Sequence, residues 1–213
     1  MALFCLSLVG CNTPTEKYAS SISEIRDAVY EGTGDGFQVT AVSGVHEQPF
    51  KPDGTVGKKT EFTVITLKPE EFLPGSLYSY TIDINGNAYS GVLTMHPFGE
   101  SFSVEIAERT HEAVLSLGIR YEGRDMQVEL NSVCEEDDAT PDQALETAMT
   151  ALEAELSGMK SGNSYACEIY IRFIPNPINA EGGYYWYVAF VTDNSSLAVL
   201  MERKDCAVIA KKS

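Results

Sequence analysis

The feature that most constrains the fold is a long region of period-two hydrophobicity, from Phe37 to Val133, which turn signals interrupt at short intervals. Apolar and polar residues alternate within each run, as in half-buried strands whose successive side chains point to opposite faces. Asn85-Gly86 joins two of the runs and is typical of the type I′ turn of a β-hairpin. About seven short strands in about 100 residues predict a mainly β fold, an antiparallel immunoglobulin-like β-sandwich. The cysteine pair and core tryptophan of immunoglobulin domains are missing from this region, so the strand connections stay open.

Two segments next to these strands have other patterns. Ser21-Ile22-Ser23-Glu24 has the S-x-x-E form of a capping box, and Ile25 and Val29 continue from Ile22 at helical spacing. We therefore expect a short amphipathic helix at about 21–30. Segment 49–59 contains two prolines and two glycines, which predicts a mobile loop.

An acidic run, Glu135 to Asp138, divides the chain. Four carboxylates with no apolar side chain to bury predict a solvated linker at 135–140. The leading helix and the β-sandwich then form one domain at 21–134, and a second domain follows at 141–213. Calcium binding is the alternative for the run, but consecutive acids lack the spaced ligands and the turn glycine of a calcium loop. We expect no metal and no other cofactor.

The second domain is predicted to be α+β, with one helix before a four-stranded antiparallel sheet. Thr140 to Gln143 combines a capping box with proline at the first helical position. The apolar face of this helix comprises Leu145, Ala148, Met149, Leu152 and Leu156. Alternating strands are expected at 165–173, 184–191, 197–201 and 206–210. A helix that covers one side of such a meander is a compact α+β unit.

Residues 141–211 resemble a PepSY-type domain. Most of the likeness lies in the strand Tyr185-Trp186-Tyr187-Val188-Ala189-Phe190 and in the Val- and Leu-rich strand that follows it. The family's usual turn near its last strand is replaced here by Glu202-Arg203-Lys204-Asp205. PepSY domains are found in secreted and membrane-attached bacterial proteins, and the resemblance implies inhibition of an envelope peptidase as one role.

The N-terminal residues Leu8-Val9-Gly10-Cys11 resemble the lipobox of bacterial lipoproteins. The uncharged stretch before Cys11 would span about 15 Å as a helix, too short for a bilayer core of about 30 Å but suited to a signal peptide. The resemblance implies cleavage between Gly10 and Cys11 and lipidation of Cys11, with a signal peptide at 1–10 and a flexible spacer at 11–20. No Lys or Arg precedes Cys11, so we expect the signal to begin upstream of Met1. A buried N-terminal strand is the alternative.

Three cysteines remain after the signal peptide and the lipidated residue: Cys134, Cys167 and Cys206. Cys167 and Cys206 lie in predicted strands of the same domain, so a disulfide between them is one expectation outside the cytoplasm. Three free buried thiols are the alternative.

Charge and motifs exclude several function classes. The formal net charge of −16 opposes binding to nucleic acid and to anionic lipid headgroups. The sequence lacks G-x-S-x-G, H-E-x-x-H and the glycine loops that hold phosphates, so we expect no enzyme. His46, His96 and His111 are far from each other and from the cysteines in sequence, which argues against a zinc site.

The candidate binding surface is the aromatic cluster Tyr184-Tyr185-Trp186-Tyr187. Successive residues of a strand face opposite sides, so either Tyr184 and Trp186 or Tyr185 and Tyr187 face outward. An outward aromatic pair would suit a protein partner. The sequence thus predicts a lipid-anchored protein on the extracytoplasmic side of a bacterial cell membrane, acting as a non-catalytic binding module. A regulator of an envelope peptidase and a solute-binding or enzymatic lipoprotein are the alternatives.

Overall fold

The computed structural model describes residues 13–49, 51, 55–162, 164–177 and 183–212. The predicted cleavage and lipidation sites at Gly10 and Cys11 lie outside the described residues. The described part of the chain is mainly β, with a few short helices.

The elements are named here in chain order. The strands are β1 (Ile22–Gly34), β2 (Phe37–Glu47), β3 (Lys59–Pro69), β4 (Ser79–Ile84), β5 (Asn87–Val92), β6 (Thr94–Met95), β7 (Phe102–Ile106), β8 (Val114–Tyr121), β9 (Arg124–Ser132), β10 (Lys160–Ser161), β11 (Ser164–Tyr165), β12 (Glu168–Pro175), β13 (Tyr184–Val191), β14 (Ser196–Glu202) and β15 (Val208–Lys212). The helices are α1 (Pro14–Lys17), α2 (Pro141–Ala151) and α3 (Glu153–Leu156), and a 3₁₀ turn follows at Ser157–Met159.

Strand β1 joins two groups of strands. Its first half pairs in parallel with β12, and its second half pairs antiparallel with β9 through Tyr30 and Glu31. The other edge of β1 pairs with β2 from Glu24 to Gly34. The sheet runs in the order β15-β14-β13-β12-β1-β2-β3-β7-β6, and β9, β8, β4 and β5 continue from the second half of β1. Strands from before and after segment 135–140 therefore belong to one hydrogen-bonded sheet. The division of the chain into two domains stays a prediction.

The predicted helix at 21–30 is wrong, because these residues form the first part of β1. The pairing register of β1 shifts twice, at Ser23 against β12 and at Asp27 against β2, and each shift marks an extra residue in the strand. An extra residue lengthens the two-residue repeat of a strand to three, so the apolar side chains follow at a helix-like spacing. Gly44 lies opposite the second shift, where a Cβ would be 1.9 Å from a backbone oxygen of β1. That close approach requires glycine.

The seven strands predicted between Phe37 and Val133 are confirmed, and one of them is divided into β5 and β6, so the described part of this region contains the eight strands β2 to β9. Side chains of β1, β2, β3 and β7 share one hydrophobic core with those of β4, β8 and β9, which gives the coarse sandwich-like arrangement expected. The Asn85-Gly86 turn between β4 and β5 is also confirmed, with φ values of 53° and 81°.

A second core lies between α2, α3 and one face of β12, β13 and β14. The predicted capping box forms, since the Thr140 and Gln143 side chains each accept a hydrogen bond from the other residue's backbone N–H. Leu145, Leu152 and Leu156 are buried in this core. Burial of each such side chain stabilises the fold by about 1.5–3 kcal/mol.

The predicted spacer and the predicted acidic linker each make contacts with the rest of the fold. Within the predicted spacer, α1 lies against α2, where Thr15 donates to Asp142 Oδ1 from its backbone N at 2.8 Å and from Oγ1 at 2.7 Å. In the acidic run, Asp138 accepts from Arg203 Nε at 2.6 Å. The sequence gives no local sign of these contacts, because the partners of these polar groups are distant along the chain.

Candidate binding surfaces

The structure separates the four aromatic residues of β13. Trp186 is buried in the core beneath α2, and Tyr184 stacks on Phe173 on that side with ring centroids 5.3 Å apart. Tyr185 and Tyr187 lie on the opposite face and are partly exposed. Two members of the predicted surface are therefore available to a ligand.

We call the face of β12, β13 and β14 that points away from α2 the open face. Residues that are partners across neighbouring strands share a face. One row of such partners runs across four strands, from β14 to β1, and consists of Leu200, Tyr187, Arg172 and Arg26. The open face is therefore a band of mixed aromatic, apolar and basic residues.

A buried glutamate organises the basic part of the open face. Glu24 Oε1 accepts a hydrogen bond from Arg26 Nε at 2.5 Å, and its Oε2 accepts one from Arg172 Nε at 2.5 Å. Only 3% of the Glu24 side chain is exposed. The Arg172 guanidinium also lies over the Tyr170 ring, 4.9 Å from its centroid, so aromatic packing and the ion pair with Glu24 fix its position.

Two further glutamates meet on the same face beneath Tyr170. Glu168 is fully buried and Glu47 is 1% exposed. Glu168 accepts hydrogen bonds from Ser23 Oγ at 3.0 Å and from the Tyr170 hydroxyl. Its carboxyl group also hydrogen-bonds to that of Glu47.

The surroundings of Glu47 favour its charged form. Burial raises the pKa of Glu47, but its hydrogen bonds, above all that from the Gly57 backbone N–H and also that from the Lys51 backbone N–H, outweigh burial and hold the pKa below its usual value. The Gly57 amide donates to Glu47 Oε2 at 2.7 Å. The described residues of the 49–59 segment thus contact this pair directly. No local pattern in the sequence could have indicated these contacts.

The structure also reveals a surface that we call the apolar tip, formed by five exposed large side chains: Leu73, Leu77, Val92, Met95 and Phe98. Phe98 is 95% exposed and Leu77 is 73% exposed. The segments that carry these residues converge on Phe102. Met95 is its strand partner, and the Tyr78 ring lies 4.8 Å from the Phe102 ring. Exposed apolar side chains in such a group are a sign of an interaction site.

The sequence signal for the tip is the turn His96-Pro97-Phe98-Gly99, which places an aromatic side chain where turns are usually polar. The rim of the tip is acidic, with exposed carboxylates at Glu70, Glu71 and Glu100. An apolar centre within an acidic rim is the composition of a selective protein interface.

The tip and α1 lie at opposite ends of β3. At the start of β3, Lys59 Nζ donates to the backbone oxygen of Ala19 at 2.7 Å, just after α1. Near the end of β3, Leu67 pairs with Phe102 beneath the tip. Leu67 lies eight residues beyond Lys59 in sequence, so the two ends are roughly 26 Å apart at about 3.3 Å per residue.

The cysteines Cys134, Cys167 and Cys206 are free thiols in the structure. The expected bridge between Cys167 and Cys206 is therefore not formed, although both side chains belong to the core beneath α2. Burial raises the pKa of each of these two thiols to about 11, so they are poor nucleophiles at neutral pH.

The acidic run brings carboxylate oxygens of Glu135, Asp137 and Asp138 within 4.8 Å of one another. Lys204 Nζ lies 2.9 Å from both Glu135 and Asp137, and Arg203 pairs with Asp138. The positive charges of the β14–β15 loop thus occupy the position that a cation would take.

The three histidines lie in separate places. His46 stacks on Phe62 with ring centroids 4.3 Å apart, His96 lies beside Phe98, and His111 Nε2 is 3.3 Å from Asp27. Each of them has a local packing or ion-pair partner.

Across the described ranges, the helices are all too short or too polar to cross a bilayer. Comparisons of the chain with protein-family models, with curated proteins and with solved structures gave no match.

Proposed function

We propose that this chain is an extracytoplasmic lipoprotein, anchored to a bacterial cell membrane through lipid on Cys11, and that it binds a partner protein through the apolar tip. The observation that carries the proposal is the near-complete exposure of Phe98, one of the five exposed apolar side chains of the tip. Binding, rather than catalysis, suits a surface made of apolar contact residues with a charged rim.

The position of the tip suits this role. Cys11 precedes Thr13, the first described residue, by only two positions, so a lipid on Cys11 would hold the α1 end of the fold close to the membrane. The tip then points away from the bilayer, towards a soluble or cell-wall-side partner. The partner's chemistry follows from the rim, because Glu70, Glu71 and Glu100 favour an apolar pocket bordered by Lys or Arg.

The anchor is tested by Cys11→Ser in the natural host. We expect the wild-type protein to incorporate radiolabelled fatty acid and to fractionate with membranes, and the variant to do neither. Label on the Cys11→Ser protein, or wild-type protein without label, would contradict the proposed anchor.

The tip is tested by crosslinking the full chain in its own cells and identifying captured proteins. The double substitution Leu77→Ser/Phe98→Ser should abolish capture of a specific partner. Val114→Ser is the matched control, since Val114 is also exposed but begins β8 at the end away from the tip. Equal capture by all three proteins would contradict the role of the tip. The proposal would also fail if the double substitution abolished binding of the protein to lipid vesicles and left capture of the partner protein unchanged.

A second candidate function is regulation of an envelope peptidase by residues 141–213. The order of α2 before the antiparallel strands β12 to β15 favours it, because this is the arrangement implied by the PepSY resemblance. We also propose that the strands of residues 21–134 are connected as in an immunoglobulin-like sandwich. Peptidase inhibition should be assayed with the full chain, because β1 lies beside β12 and completes that sheet.

A further inference from the structure

Two arginines lie directly opposite each other on the open face. Arg26 of β1 and Arg172 of β12 are strand partners, and like charges in that position are destabilising unless a counter-charge intervenes. Glu24 supplies one negative charge for the two positive ones. The three side chains therefore carry a net charge of +1, in a chain whose net charge is −16.

The ion pairs leave part of each arginine side chain exposed. The bond from Arg26 to Glu24 uses Nε, and 39% of the Arg26 side chain is exposed. Arg172 contacts Glu24 through Nε and Nη2, and 27% of its side chain is exposed. A guanidinium has five N–H donors in a planar fork that matches a carboxylate or a phosphate. Both forks are held in place from below by a buried carboxylate, so little side-chain entropy remains to be lost on binding.

An apolar platform adjoins the two arginines. Tyr187 is the strand partner of Arg172 and is partly exposed. Its partner on the next strand, Leu200, is only 7% exposed and supports the Tyr187 ring from the side. Tyr185 lies two residues from Tyr187 on the same face, about 7 Å away along the strand. A ligand that lies across this row would meet donors at one end and aromatic or apolar surface at the other.

We propose that the open face binds a small amphipathic anion, in which a carboxylate or phosphate group is joined to a ring or another apolar group. Arg26 and Arg172 hold the oxyanion, and the partly exposed ring of Tyr187 contacts the apolar part. This site is separate from the apolar tip, and the proposal does not depend on the tip or on the lipid anchor.

The test is a nuclear magnetic resonance titration of the labelled full chain with benzoate, phenyl phosphate and benzyl alcohol. We expect saturable shifts of the Arg26 and Arg172 Nε–H signals and of the Tyr187 ring signals with one or both anions. The anion that binds with the lower Kd shows whether the site prefers a carboxylate or a phosphate. Benzyl alcohol, which has the ring without the charge, should bind at least about tenfold more weakly.

Substitutions separate the two parts of the site. Arg26→Gln should weaken anion binding about tenfold, whereas Arg120→Gln, which alters an exposed arginine paired with Asp125, should leave it unchanged. Tyr187→Ser keeps the ion pairs and should weaken benzoate binding while acetate binding stays as it is. A thermal melt of each variant shows whether it is folded.

Three results would overturn the proposal. The first is the lack of saturable binding of either anion up to about 10 mM, a concentration at which even weak specific sites are occupied. The second is anion binding that Arg26→Gln leaves unchanged in a folded protein. The third is benzyl alcohol binding as tight as that of the anions, which would leave only an apolar surface.

Discussion

The two faces of the sheet formed by β12, β13 and β14 are built from alternate residues of the same strands, yet they are held in different ways. The face beneath α2 carries Ile171, Trp186 and Phe190 in a continuous apolar core. The open face carries Glu168, Tyr170 and Arg172, whose contacts are mainly hydrogen bonds, an ion pair and a cation–π contact, beside a small apolar cluster of Tyr170, Ala189 and Ala198.

The difference shows where stability and specificity are located. Apolar burial depends on area and is insensitive to pH, so the covered face should determine most of the free energy of folding. Buried charges contribute little net stability but become costly when one partner is lost. The open face should therefore tolerate loss of its aromatic surface and respond strongly to loss of a charge.

The largest contrast is expected between two aromatic residues of β13. Phe190→Ala should lower the free energy of unfolding by about 3–5 kcal/mol, because it leaves a cavity beneath α2. Tyr187→Ala, on the open face, should lower it by about 1 kcal/mol. Urea denaturation of both variants measures the difference, and equal losses would contradict the assignment of the two faces.

A smaller effect is expected at the ion-pair cluster. Glu24→Gln should cost about 2–4 kcal/mol, because it leaves Arg26 and Arg172 facing each other without a counter-charge. Addition of Arg26→Gln to this variant should restore part of the loss, since only one charge then remains. If the double variant is less stable than Glu24→Gln alone in denaturant unfolding, the repulsion argument fails.

The carboxyl pair should make stability depend on pH by a smaller amount. The pKa of Glu47 is lower in the folded chain than its usual value of 4.5, so its contribution is present above pH 4.5 and is lost as the pH falls through the folded pKa. The free energy of unfolding of wild type should therefore fall below pH 4.5 more steeply than that of Glu47→Gln. Glu61→Gln, at an exposed position, should keep the wild-type slope. Identical pH profiles for wild type and Glu47→Gln would contradict this role of Glu47.

The smallest effect on stability is expected at the apolar tip. Phe98→Ser should change the free energy of unfolding by no more than about 0.5 kcal/mol, because the side chain is almost fully exposed. The same substitution should abolish partner capture, which would separate a binding residue from a folding residue. A loss of several kcal/mol in thermal or urea unfolding would show that Phe98 packs in solution.

The patterns that predicted structure correctly are local ones. The strands of the sandwich follow from alternation, the β4–β5 turn follows from Asn85-Gly86, and α2 follows from Thr140-Pro141 and its leucines. In each case the residues that decide the conformation are neighbours in sequence. The same reasoning failed at β1, where bulges at Ser23 and Asp27 change a strand's repeat into one that resembles a helix.

The candidate sites were predicted less completely. The aromatic cluster on β13 was identified from the sequence, but alternation alone left open which two residues face outward. No sequence pattern predicts the Glu47–Glu168 pair or the contacts of the two arginines with Glu24, because the members of each group lie on strands that are distant along the chain. The apolar tip had one signal, Phe98 in a turn, and the other four residues gain meaning only through their convergence on Phe102.

By itself, therefore, the amino-acid sequence determined the strand content, the position and N-terminal cap of α2, and which residues alternate between the two faces of each strand. The tertiary structure decided that residues 22–34 form the strand between the two cores, and that α1 and the acidic run are held by Asp142 and Arg203. The physical reason is that the conformation of a segment with a mixed pattern is set by the partners it pairs with. Those partners become neighbours only when the chain has folded.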